Sequence, residues 1–380
     1  MKHVIDRLRS RMTGDCGKRS DALHGLNRVP VLTTAIGYTV SAIVAYSAYR
    51  AHLPLAWMLG SLFPAAILSL LGLQLRPHRT FRRFGQACVG AGIGLNMTAP
   101  VLAQLIVWLP VMVGTALTSV LLSSVVAAGL ARGAKIDMKT AFFASLPGGL
   151  SEMGNIGLKM GARPEPIVIV QTLRVTLVVI VIPPALVAFG LTGSFTPPAA
   201  EPVAAHLVIA LLIGGSFVAI VLNTLRLNNP WTIGAVIFAA TLASAEMVTG
   251  RMPSEVLSCG QFLMGFAVGS HFRPEMLRKM PRVSIFGTFS VLALTALTAG
   301  LALLLSSAFG LSFTVSALAT APGGMSEMSA TAQALHVAVP FVVGFQVLRG
   351  VLVNGLASHY YTLLSKIGFL GVLQKVARVP

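Results

Sequence analysis

A nine-residue stretch that breaks a helix occurs twice in this chain, at the same place in each of two apolar halves. Ser-Leu-Pro-Gly-Gly-Leu-Ser-Glu-Met at 145–153 returns as Thr-Ala-Pro-Gly-Gly-Met-Ser-Glu-Met at 320–328, an offset of 175. At that offset Gln171 and Arg174 meet Gln346 and Arg349, and Gly85, Gln86, Gly90 and Gly94 meet Gly260, Gln261, Gly265 and Gly269. Trp57 and Gly60 meet Trp231 and Gly234 at 174, so a one-residue gap lies between. Linked matches at one spacing mark a duplication.

Each half is too apolar for a soluble domain. Of the 380 residues, 55% are hydrophobic and 10% charged, against about 25% charged in an ordinary soluble domain. Apolar stretches near the bilayer-crossing length of about 20 residues fall at roughly 30–49, 54–73, 84–105, 108–131 and 165–190. They recur at 203–223, 231–249, 256–272, 283–308 and 338–360. A shorter, interrupted segment follows the fourth span of each half, at about 140–160 and 314–335. The pattern predicts an all-α polytopic membrane protein. Its membrane repeats occupy residues 30–195 and 203–365, between a basic arm at 1–29 and a tail at 366–380.

Charge placement predicts the topology. A net charge of +17 on a soluble protein would suggest nucleic acid. Here the cations lie between apolar spans, where Lys and Arg mark the cytoplasmic side. The expected partners are therefore the lipid bilayer and a small-molecule solute, with no nucleic acid; a homo-oligomer stays open. The basic arm followed by an apolar run has a signal-peptide layout, but the run is too long for most signal cores. It reads as an uncleaved first helix. If the interrupted segments dip in and return, all but four of the 28 basic residues fall on the cytoplasmic side. The exceptions are Arg50 and Arg251 outside, and Arg174 and Arg349 within spans. If they crossed, the cluster Arg273, Arg278, Lys279 and Arg282 would land outside. The positive-inside rule favours five crossings per copy and one re-entrant Pro-Gly-Gly hairpin. An odd number of crossings makes the repeats inverted, a common plan of secondary transporters. Both termini are then cytoplasmic, in a bacterial inner membrane.

The residues that could carry chemistry cluster at the hairpins. Proline removes a donor and glycine permits a tight reversal. Broken backbone at membrane depth must be buried in protein or face a wet cavity. Ser151-Glu152 and Ser326-Glu327 stand where a half-helix would begin, a position that suits plain capping as well as a transport path. Arg174 and Arg349 lie at bilayer depth and need partners. Gln171 and Gln346 precede them by three residues, on the same face. Two readings coexist. In one, buried Glu–Arg salt bridges lock each hairpin to its helix. In the other, the arginines and half-helix N-termini bind an anionic group while the glutamates couple a proton or cation. The candidate substrate- or ion-binding set is Gly148, Gly149, Ser151, Glu152, Gln171, Arg174, Gly323, Gly324, Ser326, Glu327, Gln346 and Arg349.

Other polar residues invite blander readings. Glu246 matches Gly72 in the other copy and reads as snorkelling. Asn96 and His271 occupy matching positions beside glycine-rich spans and read as packing residues. The eight histidines are dispersed, and Cys16, Cys88 and Cys259 show no metal spacing. No nucleophile elbow or phosphate loop appears. No catalytic residue, cofactor or metal is expected, and the chain does not read as an enzyme.

The duplicated Pro147-Gly148-Gly149-x-Ser151-Glu152 and Pro322-Gly323-Gly324-x-Ser326-Glu327, each followed by Gln-x-x-Arg, resemble the AbrB-type duplicated membrane protein family. The resemblance spans roughly 30–370. Members carry the labels AbrB family transporter, ammonia monooxygenase and regulator. The small soluble DNA-binding regulator of the same name is a different protein. The resemblance implies a membrane transporter and names no substrate. A copper monooxygenase would need clustered histidines. By fold analogy the paired Gly-Gly loops are also similar to those of glutamate- and citrate-type carriers. The expectation is a secondary transporter of a small anionic or zwitterionic solute, coupled to a proton or cation and working by alternating access. A membrane-bound regulator or sensor acting through the basic arm is the alternative, and a membrane monooxygenase the remote one.

Overall fold

The computed structural model describes residues 31–53, 55–191, 201–225, 229–271 and 278–376. The basic arm 1–29, Arg226, Arg273 and Arg378 lie outside the described residues, as does the side chain of Ser151. The described residues form helices and one isolated bridge, in which Pro202 pairs with Arg251.

Among the described residues, six helices are long and apolar enough to cross a bilayer. They are α1 (Val31–Arg50), α5 (Leu109–Ala134), α8 (Pro164–Ala188), α9 (Ala205–Thr224), α12 (Pro281–Phe309) and α15 (Val339–Lys366). Their outer faces expose stripes that water would reject. On α9, Ile209, Ile213, Phe217 and Ile220 line one exposed face, at the three- and four-residue spacing of a single helix side. Stripes of this kind are lipid-facing, and the protein is a multi-pass membrane protein.

The other expected spans are shorter than the apolar runs suggested. Residues 54–73 and 231–249 yield α2 (Ala56–Leu70) and α10 (Pro230–Ser244), 15 residues each. Residues 256–272 yield α11 (Ser254–Gly269), 16 residues. At about 1.5 Å per residue these fall short of a hydrocarbon core about 30 Å thick. The run 84–105 is not one helix. α3 (Arg79–Leu95) turns by 90° into α4 (Ala99–Val107). Asn96 Nδ2 donates back to the Gly92 carbonyl at 2.8 Å, and Pro100 cannot continue the ladder. With this bent pair counted as one span, the described residues hold seven spans of crossing length.

The short helices form a scaffold block with α1 and α9, held by glycines that touch backbone across the two copies. A Cβ on Gly90 would meet the Thr232 carbonyl at 2.6 Å, and one on Gly265 would collide with the Met58 carbonyl, its repeat counterpart. Gly94 faces Val236 and Ala239 while Gly269 faces Leu62 and Ala65; Gly85 and Gly260 face each other. Gly60 sits on Ala45, and Gly234 on Ala219. Every contact is returned by its partner 174 or 175 residues away, which is how a two-fold related pair meets. Close backbone approach through small residues is also how helices associate in lipid.

The second block carries the broken helices. In the first copy these are α6 (Met138–Ser145) and α7 (Leu150–Lys159); in the second, α13 (Phe313–Thr320) and α14 (Met325–Ala334). The ranges match residue for residue at 175. The caps match too: Asp137 accepts from Thr140 N and Ser312 from Val315 N. α8 and α15 start at matching positions and pack on these pairs with α5 and α12. A short helix, α16 (Phe369–Val376), ends the described chain. The two blocks touch mainly where α14 meets α3 and where α8 meets α11.

Gly94→Ala should lower stability by about 1–3 kcal/mol, because the added methyl meets backbone. Gly114→Ala, with nothing within 4 Å of the new Cβ, should leave it unchanged or slightly raised. Thermal unfolding of both purified variants in detergent checks this pair.

Candidate functional site

The site forms around the two helix breaks. A helix that stops leaves its last carbonyls without intrahelical donors, and here they are buried. Gln171 Nε2 donates to the carbonyls of Phe143, Ala144 and Leu146 at 3.1, 3.2 and 2.9 Å. Arg174 adds bonds to Leu146 O at 2.6 Å and Gly148 O at 2.7 Å. The second copy repeats this. Gln346 Nε2 donates to Leu318 O and Ala321 O at 2.7 and 3.2 Å. Arg349 donates to Thr320 O, Ala321 O and Gly323 O at 3.0, 2.7 and 3.3 Å, and to Gln346 Oε1 at 2.6 Å.

The expected Glu–Arg locks therefore take a different form. Each arginine does lock its broken pair to the following helix, but the acceptors it reaches in that pair are backbone carbonyls. The chemistry fits, since a cation at a helix C-terminus also meets the negative end of the dipole. Both guanidiniums are buried, at 3% and 5% exposure. Arg174 Nε, Arg349 Nε and Gln171 Oε1 are buried and unpartnered.

The motif explains itself side chain by side chain. Gly149 and Gly324 have φ of −72° and −75°, values any residue adopts. What glycine supplies here is space: a Cβ on Gly148, Gly323 or Gly324 would crowd its neighbours. Met153 and Met328 fold back onto Gly148 and Gly323, leaving a hypothetical Cβ only 2.8 and 3.0 Å of clearance. Glu327 places Oε2 where a Cβ on Gly324 would be, and Ser326 Oγ donates to that oxygen at 3.1 Å. Glu327 is the third residue of α14 and reaches back over its start, where a carboxylate also meets the positive end of the helix dipole. Ser326 and Glu327 are buried, and Glu152 is half-buried.

Both breaks lie beside the middles of the two long helices. Asn354, on α15, accepts from Gly149 N at 2.8 Å, and Val178, on α8, lies against Gly323. The ends of the broken pairs lie apart. Arg163 N donates to Thr140 Oγ1 at 3.0 Å, so the first pair begins and ends at the start of α8. Thr314 Oγ1 donates to the Leu191 carbonyl, at the far end of α8. Asn354 escaped the sequence reading because its counterpart, Val179, is apolar; a comparison of repeats keeps only what both copies share. Among the described residues no group of three His, Cys, Asp or Glu side chains converges.

Apolar helices wrapped around a duplicated pair of broken helices define the class: a polytopic membrane protein with a polar centre. Within that class the chain belongs to the AbrB family, described as transition state regulatory protein AbrB, whose pattern matches residues 57–365 and so takes in both motifs and both Gln/Arg pairs. It is similar to the uncharacterized protein YhjN of Bacillus subtilis (strain 168), with 30% identity covering 86% of this chain and 91% of that one. It is also similar to the AbrB protein of Escherichia coli (strain K12), which carries the name of a regulator. That match has 28% identity and covers 84% and 93% of the two chains.

Arg349→Lys should destabilise the protein by about 1–3 kcal/mol, because a single ammonium cannot reproduce the fork and leaves buried carbonyls unpaired. The loss would appear as a lower melting temperature of detergent-solubilised protein, with Gln346→Leu falling in the same direction.

Proposed function

We propose that this chain is a secondary transporter of a small anionic or zwitterionic solute, working by alternating access in a bacterial inner membrane. The observation that carries the reading is the pair of buried guanidiniums at the meeting point of two broken helices, hydrogen-bonded to neutral acceptors. Charge in that setting is costly and, in membrane proteins, characteristically functional. An anionic group between the breaks would supply the missing counter-charge. The half-helix start at Gly324 is already covered by a carboxylate, that of Glu327. A solute anion entering there would displace it, and the displaced glutamate would take up the coupling proton or cation. The twelve residues of the two motifs form the proposed binding region, with the arginines and glutamines holding the breaks open.

The same reading gives the finer topology. The repeats are inverted, each with five crossings, the short glycine-rich helices included, and one re-entrant hairpin. The placement of Thr140 at one end of α8 and Thr314 near the other supports hairpins that open to opposite faces. Charge then sets both termini in the cytoplasm, with the first hairpin opening to that side.

The alternative, a membrane-bound regulator, draws on the family description and on the name of the Escherichia coli relative. Deleting residues 1–25 separates the two: a regulator would lose gene control with solute flux intact.

The direct test is a thermostability screen over small carboxylic acids and amino acids, followed by uptake into proteoliposomes. Binding at 100 times Kd should add about 2.7 kcal/mol, and Glu327→Gln should insert normally yet lose uptake. Full uptake by that variant would overturn the assignment.

A further inference from the structure

The two copies match in sequence and in their elements, yet their hairpins are packed differently. In the second copy, α14 is buried from Met325 through Ala332 and lies on α3. At its end, Gln333 Nε2 comes within 3.1 Å of the position a Cβ on Gly92 would take, beside Leu257 Cδ2 and Met252. In the first copy, the equivalent half-helix α7 exposes Asn155, Leu158 and Lys159. The repeat relation says what α7 should meet: Leu158 is the counterpart of Gln333, Ala267 of Gly92, and Arg82 of Leu257. Leu158 and Arg82 are exposed here.

We infer that the structure holds one of two repeat-related states, with Gln333 closed onto Gly92 beside Leu257 and the counterpart pair Leu158 and Arg82 open, and that the protein exchanges them by moving the hairpin block against the scaffold block. The inference uses the transporter reading for its purpose, but its geometry stands on the repeat alone.

Three features fit such a motion. Contacts between the blocks are concentrated at α14 on α3 and at α8 on α11, whereas contacts within each block are extensive. The scaffold glycines that touch backbone across the copies favour a rigid body. The closed contact is also imperfect: Gln333 Oε1 is buried with no hydrogen-bond partner. That arrangement costs free energy and keeps the contact reversible. On the charge-derived orientation, the closed contact seals the outer face, and Leu158 opens toward the cytoplasm.

Two double variants in a cysteine-free background test this in intact membranes, with a short bismaleimide as cross-linker. Gln333→Cys with Leu257→Cys should cross-link readily. Leu158→Cys with Arg82→Cys should cross-link as well, and a chain carrying all four cysteines should form either link but not both. Labelling of single Leu158→Cys by a maleimide, with Gln333→Cys protected, confirms that the chain is folded as described. Failure of the Leu158–Arg82 pair to link where the other links fully would overturn the inference, as would both links forming in one molecule. If the links behave as expected but no solute moves, the two states stand and the transporter reading falls.

Discussion

A helix broken inside a bilayer leaves carbonyls at one end and N–H groups at the other, with no water to satisfy them. Nearly every unusual residue in this chain answers that constraint. Gln171 with Arg174, and Gln346 with Arg349, take the carbonyls on the upstream side of each break. On the downstream side Asn354 takes the Gly149 N–H, and the Glu327 carboxylate lies over Gly324. The arginines are thus the reason a break can exist at this depth. They also leave two guanidiniums buried beside the breaks.

The scaffold solves a different problem. Helices of 15 to 17 residues are short for a bilayer, and lipid offers little drive for them to associate. Glycine contact with backbone supplies close packing instead, reciprocated across the copies by Gly90 and Gly265, Gly94 and Gly269, and Gly60 and Gly234. Aromatic packing adds to it where Tyr38 stacks on Phe266 at 3.8 Å. The block that results meets the broken helices mainly where α14 lies on α3, and its apolar core is continuous with theirs.

Much of this could be read from the sequence, and the rest was hidden for physical reasons. The duplication predicted interrupted segments near 140–160 and 314–335, and the broken pairs run from Met138 to Lys159 and from Phe313 to Ala334. The Gln/Arg pairs were visible because both copies keep them. Their acceptors were not, since backbone carbonyls leave no mark in a residue pattern; charge alone pointed to the glutamates. The 90° bend after Leu95 was hidden by an unbroken apolar run, although Asn96 and Pro100 were its signal. Asn354 and Gln333 break the repeat, and for that reason they distinguish the two halves.

On the proposed topology, the two copies carry hairpins that open to opposite faces of the membrane. Lys159 and His336 lie at the exposed ends of the first and second pair. Single Lys159→Cys and His336→Cys variants, in a cysteine-free chain in intact cells, can be treated with a membrane-impermeant maleimide. The account predicts that residue 336 is labelled from outside and residue 159 only after the inner face is exposed. Labelling of both from the same side would contradict it.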